Sequence, residues 1–140
     1  GISSALAVPA SLFIPVTARG TSESFWVVTG TTRDGEISGD VALAAQSTAT
    51  VVILMGLNRI KEIMGKFLAS GKSETPVAII QNGTLPDQKS VTGTVSTIAD
   101  LAAAAGIGSP AIIVVGEVVT LSQRLEEITT QAVTQFRYGT

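Results

Sequence analysis

Three apolar runs in this sequence end on glycine beside a polar or polarizable residue: Ile53-Leu54-Met55-Gly56, Ile80-Gln81-Asn82-Gly83 and Val115-Gly116-Glu117. A glycine at the end of a buried strand lets main chain approach a ligand closely, with its N–H and C=O groups as partners. In an open α/β sheet, ligands sit outside the carboxyl ends of strands. Glycine also ends strands for purely conformational reasons, so each instance alone is open to both readings. The reactive repertoire is narrow. There is no His and no Cys, which excludes Ser-His-Asp and Cys-His catalysis, imidazole and thiolate metal ligands, and disulfides. Neither G-x-x-x-x-G-K nor G-x-G-x-x-G follows a strand, so a cofactor bound here is held by backbone and apolar walls rather than a phosphate cradle.

At 140 residues the chain is expected to form one domain with a sizeable core. Apolar residues make up 45% and charged residues 14%, a charge share well below the ~25% of ordinary soluble proteins. Such a surface suits a chain with apolar area covered by a partner. A net charge of -2 argues against a nucleic-acid-binding surface and against a polybasic membrane patch. The opening "GISSALAVPASLFIPVTA" has the composition of a signal peptide but no basic start, and Pro9 and Pro15 interrupt it. No apolar stretch approaches the ~20 residues of a membrane span. A chain opening on Gly1 in mid-pattern reads as a piece of something longer.

The elements that must position those strand ends follow from periodicity. Ser3 or Ser4 caps a short helix to Ala10 or Leu12. Strands are predicted at 24–30, 49–56, 76–81 and 111–119, each short, apolar and rich in β-branched residues. Asp40 is expected to cap a helix over "VALAAQ". In "LNRIKEIMGKFLASG", Leu57, Ile60, Met64, Phe67 and Leu68 recur at helical spacing, Glu62 and Lys66 form an i,i+4 pair, and Gly71 is the stop. Asn82-Gly83 is a strong turn signal. The alternating "QKSVTGTVS" fits an antiparallel strand beside "PVAIIQ". A helix over "STIADLAAAAG" and a C-terminal helix or frayed tail over 121–140 complete the order. Continuous apolar strands alternating with amphipathic helices predict an α/β fold: a mixed, mostly five-stranded sheet flanked by helices.

Five segments carry a resemblance: "GISSALAVPA", "IPVTARGTSESFWVVTG", "VVILMGLNRIKEI", "TPVAIIQNGTLPDQKSVTGTVSTIA" and "SPAIIVVGEVV". Together they resemble the C-terminal half of the uroporphyrinogen-III C-methyltransferases, a branch of the tetrapyrrole methylase family, up to about Val119. The patterns RG-x-S-x-S-F-x-VVTG and QNGT-x-x-x-Q-x-x-x-TG are specific to that branch. The resemblance implies a C-terminal lobe over 1–120, followed by the helix or tail at 121–140. It implies a two-lobed parent enzyme that uses S-adenosylmethionine, yields S-adenosylhomocysteine, and methylates uroporphyrinogen III to precorrin-2. It further implies a homodimer in the cytoplasm, with an N-terminal lobe, carrying the family's glycine–proline loop and Gly-Gly-Asp-Pro segment, that this sequence lacks. A chain with half a shared site is expected to be inactive alone.

Residue by residue, the resemblance implies that Ser3, Ser4, Met55, Gly83, Pro110 and Ala111 contact the cofactor. Arg19 matches the arginine of a Thr-His-Arg motif at the substrate mouth, but the sequence reads Thr17-Ala18-Arg19, so the histidine is lost. Each residue also has a plainer account: Ser3 and Ser4 as a helix cap, Met55 as core filler, Arg19 as a solvated cation. Arg33, Arg59 and Lys89 are further cations that a carboxylate-rich substrate could use. No catalytic residue and no metal ligand is assigned. The methyl group comes already activated on a sulfonium, which leaves positioning as the protein's task. Two other readings stand beside this one: a non-catalytic α/β binding or assembly module, and a related methylase acting on another precorrin or a protein residue.

Overall fold

The computed structural model describes residues 1–138. The elements are α1 (Ser4–Ser11), β1 (Phe25–Thr29), α2 (Gly39–Gln46), β2 (Thr50–Leu54), α3 (Ile60–Ala69), β3 (Pro76–Gln81), β4 (Lys89–Thr94), α4 (Ile98–Ala104), β5 (Ala111–Val115) and α5 (Val119–Tyr138), with a 3-10 turn at Leu57–Arg59 leading into α3. The sheet has five strands in the order β1-β2-β5-β3-β4. Strands β1 and β2 are parallel, while β5 is antiparallel to both β2 and β3, and β4 is antiparallel to β3. Thus β1, β2 and β3 point one way, and β4 and β5 the other. The mixed five-stranded sheet and the antiparallel "QKSVTGTVS" strand agree with the sequence reading.

Two apolar layers hold the sheet. On one face Ile53, Ile79, Ile113, Val51 and Val77 pack against Val41 and Ala44 of α2, Ile63, Met64 and Phe67 of α3, and Ile98 of α4. On the other face Val52, Ala78, Ile80, Ile112 and Val114 meet Ala5 and Val8 of α1, Ile14, and Val118 and Val119. Alternate residues of β2, β3 and β5 therefore face opposite layers, and both kinds are apolar, which is why these strands read as continuous apolar runs. Edge strand β1 is covered less: Phe25, Trp26 and Val27 are each more than a third exposed.

Four local expectations are corrected. The cap of α2 is Ser38, whose Oγ accepts from the Asp40 N–H, so Asp40 lies within the first turn. Glu62 pairs with Arg59 rather than Lys66, because Arg59 donates from both Nε and a terminal nitrogen to the two carboxylate oxygens. A bidentate fork holds a carboxylate better than a single ammonium. Leu68, expected on the buried stripe of α3, is exposed. The last strand stops at Val115, since Gly116 at φ 151 breaks the extended run, and Val119 already belongs to α5. That helix is continuous through the described residues, and its side chains from Gln123 on are exposed wherever described.

Two glycines separate the effect of space from that of conformation. A Cβ at Gly30 would lie 2.6 Å from Cα of Gly56, whereas one at Gly65, inside α3, meets nothing within 4 Å. We expect Gly30→Ala to destabilise the fold by about 1–3 kcal/mol through forced backbone movement. Gly65→Ala is expected to stabilise it by about 0.5–1 kcal/mol through helix propensity. Urea unfolding followed by circular dichroism checks both signs.

Candidate functional site

The common direction of β1, β2 and β3 gathers three chain exits at one end of the sheet: Gly30-Thr31, Met55-Gly56 and Asn82-Gly83. Because β5 runs backwards between β2 and β3, it brings its amino end, Ser109-Pro110-Ala111, to the same place. For the same reason Gly116-Glu117 lies at the far end, where the Gly116 N–H donates to the Pro76 carbonyl at the start of β3. The sequence grouped three glycine-ended strands as equivalent; only two of them meet, and the amino end of β5 supplies the third wall.

These exits enclose a cavity of about 580 Å³, within the range of small-molecule and cofactor sites. Leu54, Ile80 and Ile112 form its apolar floor, Met55, Gly56 and Leu57 one wall, Asn82, Gly83 and Leu85 another, and Ser4 and Val8 of α1 close a side. Met55 is 66% exposed at its rim, so it is not core filler. Its backbone sits at φ 52, a left-handed conformation uncommon for a non-glycine residue, and Thr31 Oγ donates to its carbonyl at 2.8 Å. The Gly30–Gly56 approach lets these two exits come that close. On the opposite wall, Asn82 and Thr84 are also left-handed, at φ 50 and 71. The Asn82 N–H donates to the Pro110 carbonyl at 3.1 Å, and Gln81 Oε1 accepts from the Gly108 N–H at 2.7 Å. Strand β3 thereby fixes the segment that leads into β5.

Ser4, Met55, Gly83, Pro110 and Ala111 all line this one cavity. Ser3 does not; its Oγ accepts from the Ala5 N–H at 3.3 Å and caps α1. Arg19 is not brought to the cavity either. It lies in the turn closed by the Ala18–Ser22 bridge, and Ser22 Oγ receives hydrogen bonds from the main chain and hydroxyl of Thr50 at the start of β2. That is the opposite end of the sheet, about 16 Å away along a five-residue strand. Sequence reasoning missed Thr31, Leu57, Asn58, Leu85 and Ser109. Thr31 was within reach of it, as the residue directly after a strand-ending glycine. The other four depend on how the loops cross.

Gly83 also has a local packing cause that the sequence reading did not name. A Cβ built there would fall 2.3 Å from Val8 Cγ1, so this glycine first of all lets α1 lie against the loop after β3. Its N–H has no protein acceptor among the described residues, which leaves it available to a ligand.

Among the described residues, no acidic or basic side chain lines the cavity. The perturbed charges lie elsewhere. Arg59 and Glu62, hydrogen-bonded to each other, are shifted up and down respectively. Lys72, whose ammonium donates to the Ser47 carbonyl, is held below the ordinary lysine value by burial. Among the described residues no cluster of carboxylates could hold a metal ion, and no helix is long and apolar enough to cross a membrane. An uncharged, apolar cavity edged by strand-end main chain suits a nucleoside and a thioether. It offers no side chain for acid–base work.

Comparison with known proteins adds to this geometry. The family profile of the Tetrapyrrole (Corrin/Porphyrin) Methylases matches residues 1–99. The chain belongs to this family. Among curated tetrapyrrole methylases it is 41% identical over 123 residues to a uroporphyrinogen-III C-methyltransferase of Methanocaldococcus jannaschii, covering 86% of this chain and 51% of that protein. It is 37% identical over 126 residues to a siroheme synthase of Nitrosomonas europaea, covering 89% of this chain and 26% of that one. Among solved structures, a uroporphyrin-III C-methyl transferase from Thermus thermophilus complexed with S-adenyl homocysteine superposes with a TM-score of 0.73 at 26% identity. That match covers 86% of this chain and 52% of the Thermus chain. This tetrapyrrole methylase chain thus spans about half the length of the first of these relatives and about a quarter of the second.

The Val8–Gly83 contact is testable within this chain. Gly83→Ala is expected to destabilise the fold by about 1–3 kcal/mol by pushing α1 outward. Adding Val8→Ala should recover part of that loss, giving a non-zero coupling between the two sites in a double-mutant cycle of urea unfolding. Simple additivity would mean that α1 does not rest on this glycine.

Proposed function

We propose that this chain is the C-terminal lobe, over 1–120, of an S-adenosylmethionine-dependent methyltransferase that converts uroporphyrinogen III to precorrin-2. The observation that carries the reading is the single uncharged cavity in which Ser4, Met55, Gly83, Pro110 and Ala111 meet. S-adenosylmethionine, when bound, supplies a methyl group already activated on a sulfonium. The chain's own residues position and exclude. Met55 presents a polarizable side chain at the rim. The free Gly83 N–H and the main chain around Pro110 and Ala111 offer directional partners without a charge. Leu54, Ile80 and Ile112 keep water from the floor.

The proton lost from the pyrrole carbon must leave through groups outside this cavity, because none of its lining side chains titrates near neutral pH. In this reading they come from an N-terminal lobe or from the substrate-facing side of a partner subunit. Arg19, at the far end of the sheet, is not part of the cofactor cavity, and a role for it in holding substrate carboxylates would require a partner surface there. Assembly as a homodimer in the cytoplasm completes the proposal, and the low charge of the chain supports a surface that is covered in the assembled enzyme.

Calorimetric titration of S-adenosylhomocysteine into this chain, alone and with the N-terminal lobe of a uroporphyrinogen-III C-methyltransferase, tests the reading. Binding is expected to appear, or to tighten by about tenfold or more, only when both lobes are present, as for two halves of one site. Met55→Ala should weaken it about tenfold by removing rim contacts. The chain alone should not turn over uroporphyrinogen III. Absence of binding in either mixture would sink the cofactor assignment and leave a non-catalytic module with the same fold.

A further inference from the structure

The pattern QNGT-x-x-x-Q contains a second glutamine, Gln88, that does not line the cavity. Its surroundings are unusual. The loop it closes, 82–88, holds Asn82 and Thr84 in left-handed conformations on either side of Gly83. For a β-branched threonine that conformation is a genuine outlier, and such residues persist only where their surroundings over-determine them. Gln88 Oε1 accepts from the Thr84 N–H at 2.6 Å. It also lies 3.1 Å from Ser11 Oγ at the end of α1, whose single hydroxyl proton is shared with the Val8 carbonyl at 2.6 Å. Next to this, Asn82 donates to Asp87 at 2.7 Å and closes the neck of the loop.

We propose that Gln88 is a positioning residue: its side-chain oxygen holds the turn around Gly83, with Asn82 and Thr84 left-handed, and ties that turn to α1, setting where the Gly83 N–H meets the ligand. The chemistry selects the residue type. The Thr84 and Ser11 groups both donate, so the residue must present an acceptor on a reach of two methylenes, and a main-chain N–H cannot reverse its role. Glutamine and glutamate meet that requirement; leucine has the shape without the acceptor, and asparagine the acceptor without the reach. The geometry also relates the two contacts of α1 with this loop. Val8 packs on the Gly83 position from one side, and Ser11 meets Gln88 from the other. Loss of the Gln88 oxygen would leave Val8 packing in place but free the turn to leave its strained form. The ligand half of the proposal rests on the cofactor reading above; the conformational half does not.

Amide hydrogen exchange by nuclear magnetic resonance on the full 15N-labelled chain tests it, with Q88L, Q88E and Q88N as variants. Q88L is expected to speed exchange at Thr84 by about tenfold and shift the Gly83 and Leu85 amides, as a lost hydrogen bond should. Strand amides of β3 at Val77–Ile79 should stay unchanged. Q88E is expected to stay within about twofold of the parent, because a carboxylate accepts the same bonds. Q88N should resemble Q88L and serves in its place if Q88L does not fold. Parent-like exchange at Thr84 in Q88L, or in Q88N in its place, would overturn the proposal, as would a Q88E as fast as Q88L. S-adenosylhomocysteine, added with the N-terminal lobe, should then bind about tenfold more weakly to Q88L and normally to Q88E. Normal exchange differences with no binding even by the parent would refute the cofactor reading while the conformational role of Gln88 stands.

Discussion

Between β2 and β3, Ile113 and Val114 of β5 pair on both sides, so β5 is an inner strand whose main chain is satisfied within the sheet. Its direction is opposite to that of both neighbours. The arrangement at the cavity depends on that reversal. With β1, β2 and β3 alone, the site end would offer three carboxyl ends and gaps where a fourth element should be. The reversed strand fills the gap with an amino end, Ser109-Pro110-Ala111, and the register places Ala111 opposite Gln81. The side chain of Gln81 then reaches the Gly108 N–H and holds the incoming segment. A single choice of strand direction thus decides which glycines meet at this cavity and which, like Gly116, lie at the other end of the sheet.

A second constraint is closeness. The exits of β1 and β2 approach until a single Cβ at Gly30 would touch Gly56, and the exit of β3 lies under α1 with no room for one at Gly83. At such separations side chains are replaced by main chain and by short polar groups. Thr31 reaches Met55 and Asn82 reaches Asp87 because the backbones already lie side by side. The same crowding explains Gly93 in the TG of the long motif. A Cβ there would meet Leu101 and Thr97 of the turn and helix that cover β4. Motif glycines here mark close packing of elements, and at Gly83 that packing occurs in the wall of the cavity.

Much of this was legible in the sequence, for identifiable reasons. Strands buried on both faces announce themselves as unbroken Val and Ile runs, and β4, half exposed, by its alternation. Strand direction is not written in such runs, since Ala-Ile-Ile-Val-Val reads the same either way into the sheet. The grouping of Gly116 with Gly56 and Gly83 failed on that point. Side-chain competition was equally hidden. Glu62 has Lys66 and Arg59 within reach on one helix, and only the bidentate fork and the nearby Gly35 carbonyl, which Arg59 also holds, decide for arginine. Ser4, Met55, Gly83, Pro110 and Ala111, which line one cavity, were named together by resemblance to a family, not by any periodicity. Arg19, carried over in the same way, went to the far end of the sheet because the turn at 18–22 precedes β1 rather than following it.

The absence of ionisable side chains from the cavity lining among the described residues bears on how the site would work under the proposed cofactor reading. A charged group there would have to be desolvated along with the ligand, at a cost that only a matched counter-charge offsets. A sulfonium with its own positive charge would repel a lysine or arginine and would be over-stabilised in its ground state by a carboxylate in direct contact. In the proposed reading methyl transfer would consume that charge, so an environment that does not bind it tightly would favour the transition state over the ground state. Walls of leucine, isoleucine and methionine edged by peptide dipoles meet that condition. In this arrangement selectivity for the ligand comes from shape and from strained main chain held at fixed positions, which is why the hydrogen bonds behind the wall matter as much as the groups on it.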